Sequence, residues 1–142
     1  MSKFLLLFFC LGLSGCATLT LSQAASKNKD NLKRLSLGMS EEEVSKVMGT
    51  RTITSSLWDF YTRVKNPYRS EVIQTKSDKP LRVLYYFTEL QRDQVTWEKY
   101  TIQDSDLTPL VFEEGRLVGI GAASLPKLIL EEKDKEEEQD RK

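Results

Sequence analysis

Apolar positions along this 142-residue chain follow three successive patterns. Residues 4–13 carry no charged or hydroxylated side chain, behind the single positive charge of Lys3. Residues 41–48 place Val44, Val47 and Met48 on one face at helical spacing. From residue 52 onward β-branched and aromatic side chains take over, and in 81–88 every second position is apolar: Leu81, Val83, Tyr85 and Phe87 share one face. The opposite face, Arg82, Leu84, Tyr86 and Thr88, is half apolar, which predicts cover on that side too.

The helical stretch has both of its ends written in the sequence. Ser40 with Glu43 three residues later forms a capping box, and Glu41 and Glu42 put negative charge at the positive end of the helix. Gly49 stands where a left-handed residue ends a helix. Upstream, Leu32 and Leu35 in 30–36 predict a second short helix that turns at Gly38 into the first. Strands are predicted at 52–61, 72–75, 81–88 and 95–103. The clearest hairpin is 110–122, turning at Glu113-Glu114-Gly115 with Gly115 supplying positive φ. Its expected inward set is Leu110, Phe112, Val118 and Ile120. The predicted fold class is α+β, two short N-terminal helices packed on an antiparallel sheet in two layers, over residues 30–125.

Outside that domain the chain changes character. The apolar run 4–13 is about ten residues, too short for the roughly 20 of a membrane-spanning helix, and with Lys3 and the small Ser14 and Gly15 it has the layout of a secretory signal over residues 1–15. Leu13-Ser14-Gly15-Cys16 matches the lipobox of bacterial lipoproteins, which makes Cys16 the expected lipid attachment site. Lipoproteins that this segment resembles are usually kept at the inner membrane only when an aspartate follows the cysteine; with Ala17 and Thr18 there instead, the resemblance implies the outer membrane, facing the periplasm. Residues 16–29 are small and polar after the cysteine and read as a flexible tether with a reach of about 20 Å. Residues 126–142 are an acidic and basic tail without aromatic residues, too poor in apolar surface to fold alone.

Composition narrows the chemistry. The chain has 21 basic and 21 acidic residues, so no net charge draws it to nucleic acid. Cys10 lies in the leader and Cys16 takes the lipid, leaving no disulfide for the domain. The absence of histidine removes the usual neutral-pH base and the commonest metal ligand, so the expectation is a protein without enzymatic activity, cofactor or metal.

Several clusters are candidates for contact with a partner. Asn66-Pro67-Tyr68-Arg69 combines a turn with an aromatic and a guanidinium, two common interface anchors; the competing reading is a plain structural turn. Trp58, Phe60 and Tyr61 form either an aromatic patch or core. Glu113 with Glu114 and Asp104 with Asp106 are carboxylate pairs in predicted turns, where solvation rather than catalysis is expected. Lys27, Lys29, Lys33 and Arg34 lie near the lipid end, within range of anionic headgroups or as a solvated helix face.

The segment Leu37-Gly38-Met39-Ser40, with Val44 and Met48-Gly49, resembles the opening helix-turn-helix signature of the SmpA/OmlA lipoproteins, also called BamE-like. The glycine-turn hairpin fits the same family, over roughly residues 30–122. The resemblance implies two helices on an antiparallel sheet, held at the inner leaflet of the outer membrane, with a protein partner in the cell envelope. It also implies a non-enzymatic accessory or scaffold role in envelope or β-barrel protein assembly or maintenance. A stand-alone periplasmic binding or inhibitor module is the alternative. In this reading Gly38, Ser40, Glu43, Val44, Gly49 and Gly115 are structural residues that build turns and packing.

Overall fold

A computed structural model describes residues 20–57, 60–75, 79–90 and 100–125. Two helices, α1 (Leu21–Leu32) and α2 (Glu41–Met48), precede six strands: β1 (Ile53–Leu57), β2 (Phe60–Val64), β3 (Arg69–Ile73), β4 (Leu81–Phe87), β5 (Leu107–Glu113) and β6 (Arg116–Ile120). The β1–β2 hairpin is a two-stranded sheet, and β3-β4-β5-β6 form a four-stranded sheet in chain order, every pair antiparallel. The α+β architecture expected from the residue pattern is therefore the one observed.

The capping box of α2 forms as its residues dictate. The Ser40 hydroxyl accepts from the Glu43 N–H at 3.3 Å, and the Glu43 carboxylate accepts from the Ser40 N–H at 2.8 Å. Val44 and Met48 then face the sheet, buried with Leu35 against Leu84, Tyr86, Leu110, Phe112 and Leu117. Each large apolar side chain buried in this way contributes about 1.5–3 kcal/mol. The other face of the sheet is also closed: Leu81, Val83 and Val111 are buried there, with Ile73, Val118 and Leu125 packed on them. Both faces of β4 are covered, as its half-apolar second face suggested.

The link between the helices is itself part of the sheet edge. Gly38 N–H donates to the Leu117 carbonyl at 2.7 Å and Leu117 N–H donates to the Met39 carbonyl at 2.8 Å, while Ser40 bridges to Arg116. Gly38 has φ +87°, a conformation open to glycine and strained for other residues. The turn between the helices thus lies along β6 and satisfies both backbone groups of Leu117.

Four expectations are corrected. Residues 20–29 are not a tether: they form most of α1, because Thr20 and Gln23 make a second reciprocal capping box and Ala24 and Ala25 are small enough to pack closely under it. The short helix expected at 30–36 is only the end of α1, which stops at Leu32. Residues 52–61 are not one strand but β1 and the start of β2, which pair with Ile53 opposite Val64. Of the strand expected at 95–103, residues 91–99 lie outside the described residues, and 100–103 are irregular, leading into a 3-10 turn, Asp104–Asp106.

The last hairpin forms with Glu114 at φ 47° and Gly115 at φ 75°, the two positive values that a tight two-residue turn needs. Its inward set differs from strict alternation. Val111 pairs with Gly119 while Phe112 pairs with Leu117, so Val118 is an extra residue in β6, a β-bulge. The bulge turns Leu117 toward Phe112 and α2, moves Val118 to the opposite cluster and leaves Ile120 exposed.

Candidate functional site

A groove of about 570 Å³ runs between α1 and α2. Lys27 and Asn31, one turn apart on α1, line one bank with Arg34, which lies just past the end of the helix. Ser45 and Lys46 of α2, with Thr50 and Arg51 beyond it, line the other. The chain leaves α2 through Gly49 at φ 78°, ψ 157°. That is not the left-handed helical conformation expected there but an extended positive-φ one, which sends Thr50 and Arg51 out along the groove.

Asn28 and Asn66 lie at its inner side, 1% and 8% exposed. Asn28 Nδ2 donates to Asn66 Oδ1 at 3.0 Å and to the Phe87 carbonyl at 2.8 Å. Asn66 Nδ2 donates to Asn28 Oδ1 at 2.8 Å and to the Met48 carbonyl at 3.1 Å. All four amide hydrogens are thereby placed, and the pair ties together α1, the end of α2, the β2–β3 turn and the end of β4.

Charge around the groove is unequal. Lys46 pairs with Glu42 at 2.7 Å, one turn away on α2, and their hydrogen bond holds the Glu42 carboxyl below its ordinary value and raises the Lys46 ammonium. Lys29 pairs with Glu89, and Lys33 with Asp30 at 2.7 Å, so these two are compensated. Lys27 and Arg51 have no ion pair among the described residues, and Arg34 donates only to the neutral Asn31 side chain, at 3.5 Å.

The turn at 66–69 is buried at its start and exposed at its end, from Asn66 to Arg69. Asn66 is spent on the amide pair, which corrects its expected role as a partner contact: its side chain is buried and its hydrogen bonds are all internal. Its peptide bond to Pro67 is cis. Pro67 and Tyr68 are half-buried; Tyr68 packs beside Phe87 and Val64, and its N–H donates to the Tyr85 carbonyl at 2.7 Å. The Arg69 guanidinium lies 4.2 Å from the centre of the Tyr85 ring and pairs with Asp104 at 2.8 Å.

The carboxylate pairs separate. Glu114 is exposed and pairs with Lys79 at 3.1 Å. Asp104 is exposed, but Asp106 is fully buried, contrary to the expected solvation, because the Tyr100 hydroxyl and the Gln103 N–H both donate to its Oδ2, at 2.7 and 2.8 Å. Trp58, the side chains of Phe60 and Tyr61, Cys16 and the 126–142 tail lie outside the described residues. Among the described residues no group of His, Cys, Asp and Glu is arranged to hold a metal, and no helix is long and apolar enough to cross a membrane.

Asn28, Lys46 and Arg51 carried no sign of a site in the sequence. A helix capped by Thr20, signalled by Thr20 and Gln23, would have aligned Lys27 and Asn31. Nothing local places Arg51 in one groove with them.

Neither a curated protein nor a solved structure matches this chain. The family model described as a protein of unknown function, DUF3192, matches residues 17–127. That match spans the helices, both sheets and the groove, so the chain belongs to the DUF3192 family.

Proposed function

We propose that this is a lipid-anchored protein of the outer membrane, facing the periplasm, that works without catalysis as an accessory or scaffold protein in assembly or maintenance of the envelope. Within that role it is of the SmpA/OmlA kind, associated with β-barrel protein assembly. The observation that carries the reading is the closeness of the lipobox to the folded domain. Only residues 17–19 separate Cys16 from Thr20, the cap of α1. Four residue steps span at most about 14 Å, so lipid at Cys16 holds α1 beside the bilayer. Durable anchoring needs more than one acyl chain, which a lipoprotein cysteine carries.

The motif behind the resemblance supports the same reading. Gly38 and Met39 hydrogen-bond to Leu117 and Ser40 caps α2, which is structural work and not chemistry. Two measurements test the proposal. Lipid labelling of the wild type is expected and its loss in Cys16→Ala; continued labelling of that variant refutes the anchor. Gentle detergent extraction is expected to bring barrel-assembly or other envelope proteins along, whereas extraction as a lone monomer favours the stand-alone binding or inhibitor module.

A further inference from the structure

Cations meet in the groove between α1 and α2 without an internal reason to do so. Its lining holds Lys27, Arg34, Lys46 and Arg51 against the one carboxylate of Glu42, which Lys46 already occupies. Lys27 and Arg51 lack ion pairs among the described residues, and the contact of Arg34 is to a neutral amide. Elsewhere on α1 the chain does compensate its charges, pairing Lys29 with Glu89 and Lys33 with Asp30. Like charges gathered on one concavity repel one another and favour an anion from outside.

Charge count selects the kind of anion. Lys27 stands on α1, Arg34 two residues past its end and Arg51 beyond α2, three cations without a carboxylate partner among the described residues. One carboxylate or one phosphate leaves part of that charge unanswered, whereas a segment with several acidic side chains matches it. An extended peptide advances about 3.4 Å per residue, so acidic side chains three positions apart stand about 10 Å apart along one face of the groove. The Ser45 and Thr50 hydroxyls in the lining add neutral hydrogen-bonding groups, while the amides of Asn28 and Asn66 are already engaged. We propose that this groove binds an extended acidic segment of a partner protein, with Lys27, Arg34 and Arg51 as its charge contacts. The inference rests on the reading of the protein as a binder of other proteins and specifies the chemistry of what it binds.

The test is fluorescence anisotropy on the full detergent-extracted chain, with a labelled decapeptide carrying glutamate at every third position and a glutamine version as control. Saturable binding of the glutamate peptide alone is expected, weakening as salt rises. The double variant Lys27→Glu, Arg51→Glu is expected to weaken it about tenfold or more, a loss typical of charge-assisted contacts. Lys33→Glu, which changes total charge equally per site but lies at the Asp30 pair, is expected to stay within about twofold. Circular dichroism establishes that each variant is folded, and Arg34→Gln supplies a milder substitution at the same groove.

Equal binding of the two peptides, or equal weakening by Lys33→Glu, overturns the proposal. So does binding of phosphatidylglycerol vesicles or inorganic phosphate, lost in the double variant, without binding of the peptide; that result assigns the groove to a phosphate-bearing ligand. Lipid labelling at Cys16 and co-extraction of envelope proteins are separate readouts, so failure of the peptide overturns the groove and leaves the anchored-binder reading intact.

Discussion

Asn28 and Asn66, separated by 38 residues in the chain, present their carboxamides to each other in a reciprocal pair of hydrogen bonds of 3.0 and 2.8 Å. The remaining Nδ2 hydrogen of each goes to a backbone carbonyl, Phe87 for Asn28 and Met48 for Asn66. Removing one partner leaves the other with a buried donor and acceptor unmatched, at a cost of about 1–3 kcal/mol. Asn28→Ala and Asn66→Ala are each expected to destabilise the protein by about 2 kcal/mol in urea denaturation, and the double variant by clearly less than their sum. Strict additivity would show that the pair is not a coupled unit.

Ser40 and Glu43 make the α2 cap a pH-sensitive element. The Ser40 backbone N–H, followed by its hydroxyl, holds the Glu43 carboxyl below its ordinary 4.5. A depressed carboxylate contributes stability above its unfolded value and loses it as pH falls through the lower folded value. Thermal scans from pH 6 downward are therefore expected to show a steeper loss of Tm in the wild type than in Glu43→Gln. Ser40→Ala is expected to cost about 1 kcal/mol at neutral pH. Parallel pH profiles for wild type and Glu43→Gln would remove the cap from the acid response.

The Tyr86 hydroxyl is buried with no hydrogen-bond partner among the described residues, and burial, with the Glu41 carboxylate adding to it, pushes its ionisation up to about 12. An acid whose folded value is raised keeps its proton while the unfolded chain loses it, so stability falls as pH rises above the ordinary 10.0. Tyr86→Phe removes an unmatched polar atom and keeps the ring. It is expected to leave stability unchanged or raise it by up to about 1 kcal/mol, and to flatten the alkaline limb of a Tm profile. A loss greater than that would reveal a hydrogen bond to the hydroxyl.

Gly49 and Gly115 differ in how strongly their backbones exclude a side chain. Among the described residues neither has an atom, beyond its own chain neighbours, within 4 Å of where a Cβ would stand, so substitution is governed by backbone strain. Gly115 at φ 75° sits in a tight turn, and its replacement by alanine is expected to cost about 1 kcal/mol. Gly49, at φ 78° and ψ 157°, occupies a region that is essentially glycine's alone, and Gly49→Ala is expected to cost about 1–3 kcal/mol. Chemical denaturation of the two variants side by side ranks them; equal costs would mean that the α2 exit relaxes on substitution.

The sequence by itself determined the elements whose causes are local. Helix α2 was legible from Ser40, Glu43, the Val44–Met48 spacing and Gly49, because capping and periodicity act within one or two turns. Strand β4 was legible from alternation, and the last hairpin from its glycine turn, since both repeat over a few residues. Helix α1 was misread because its buried residues, Ala24, Ala25 and Asn28, are small or polar and leave no apolar stripe. Tertiary structure alone decided that Asn28 and Asn66 meet, that the Val118 bulge reverses the faces of β6, and that Arg51 lines one groove with Lys27 and Arg34. Those relations depend on packing between segments far apart in the chain, where the interaction energy belongs to the pair and is written in neither segment alone.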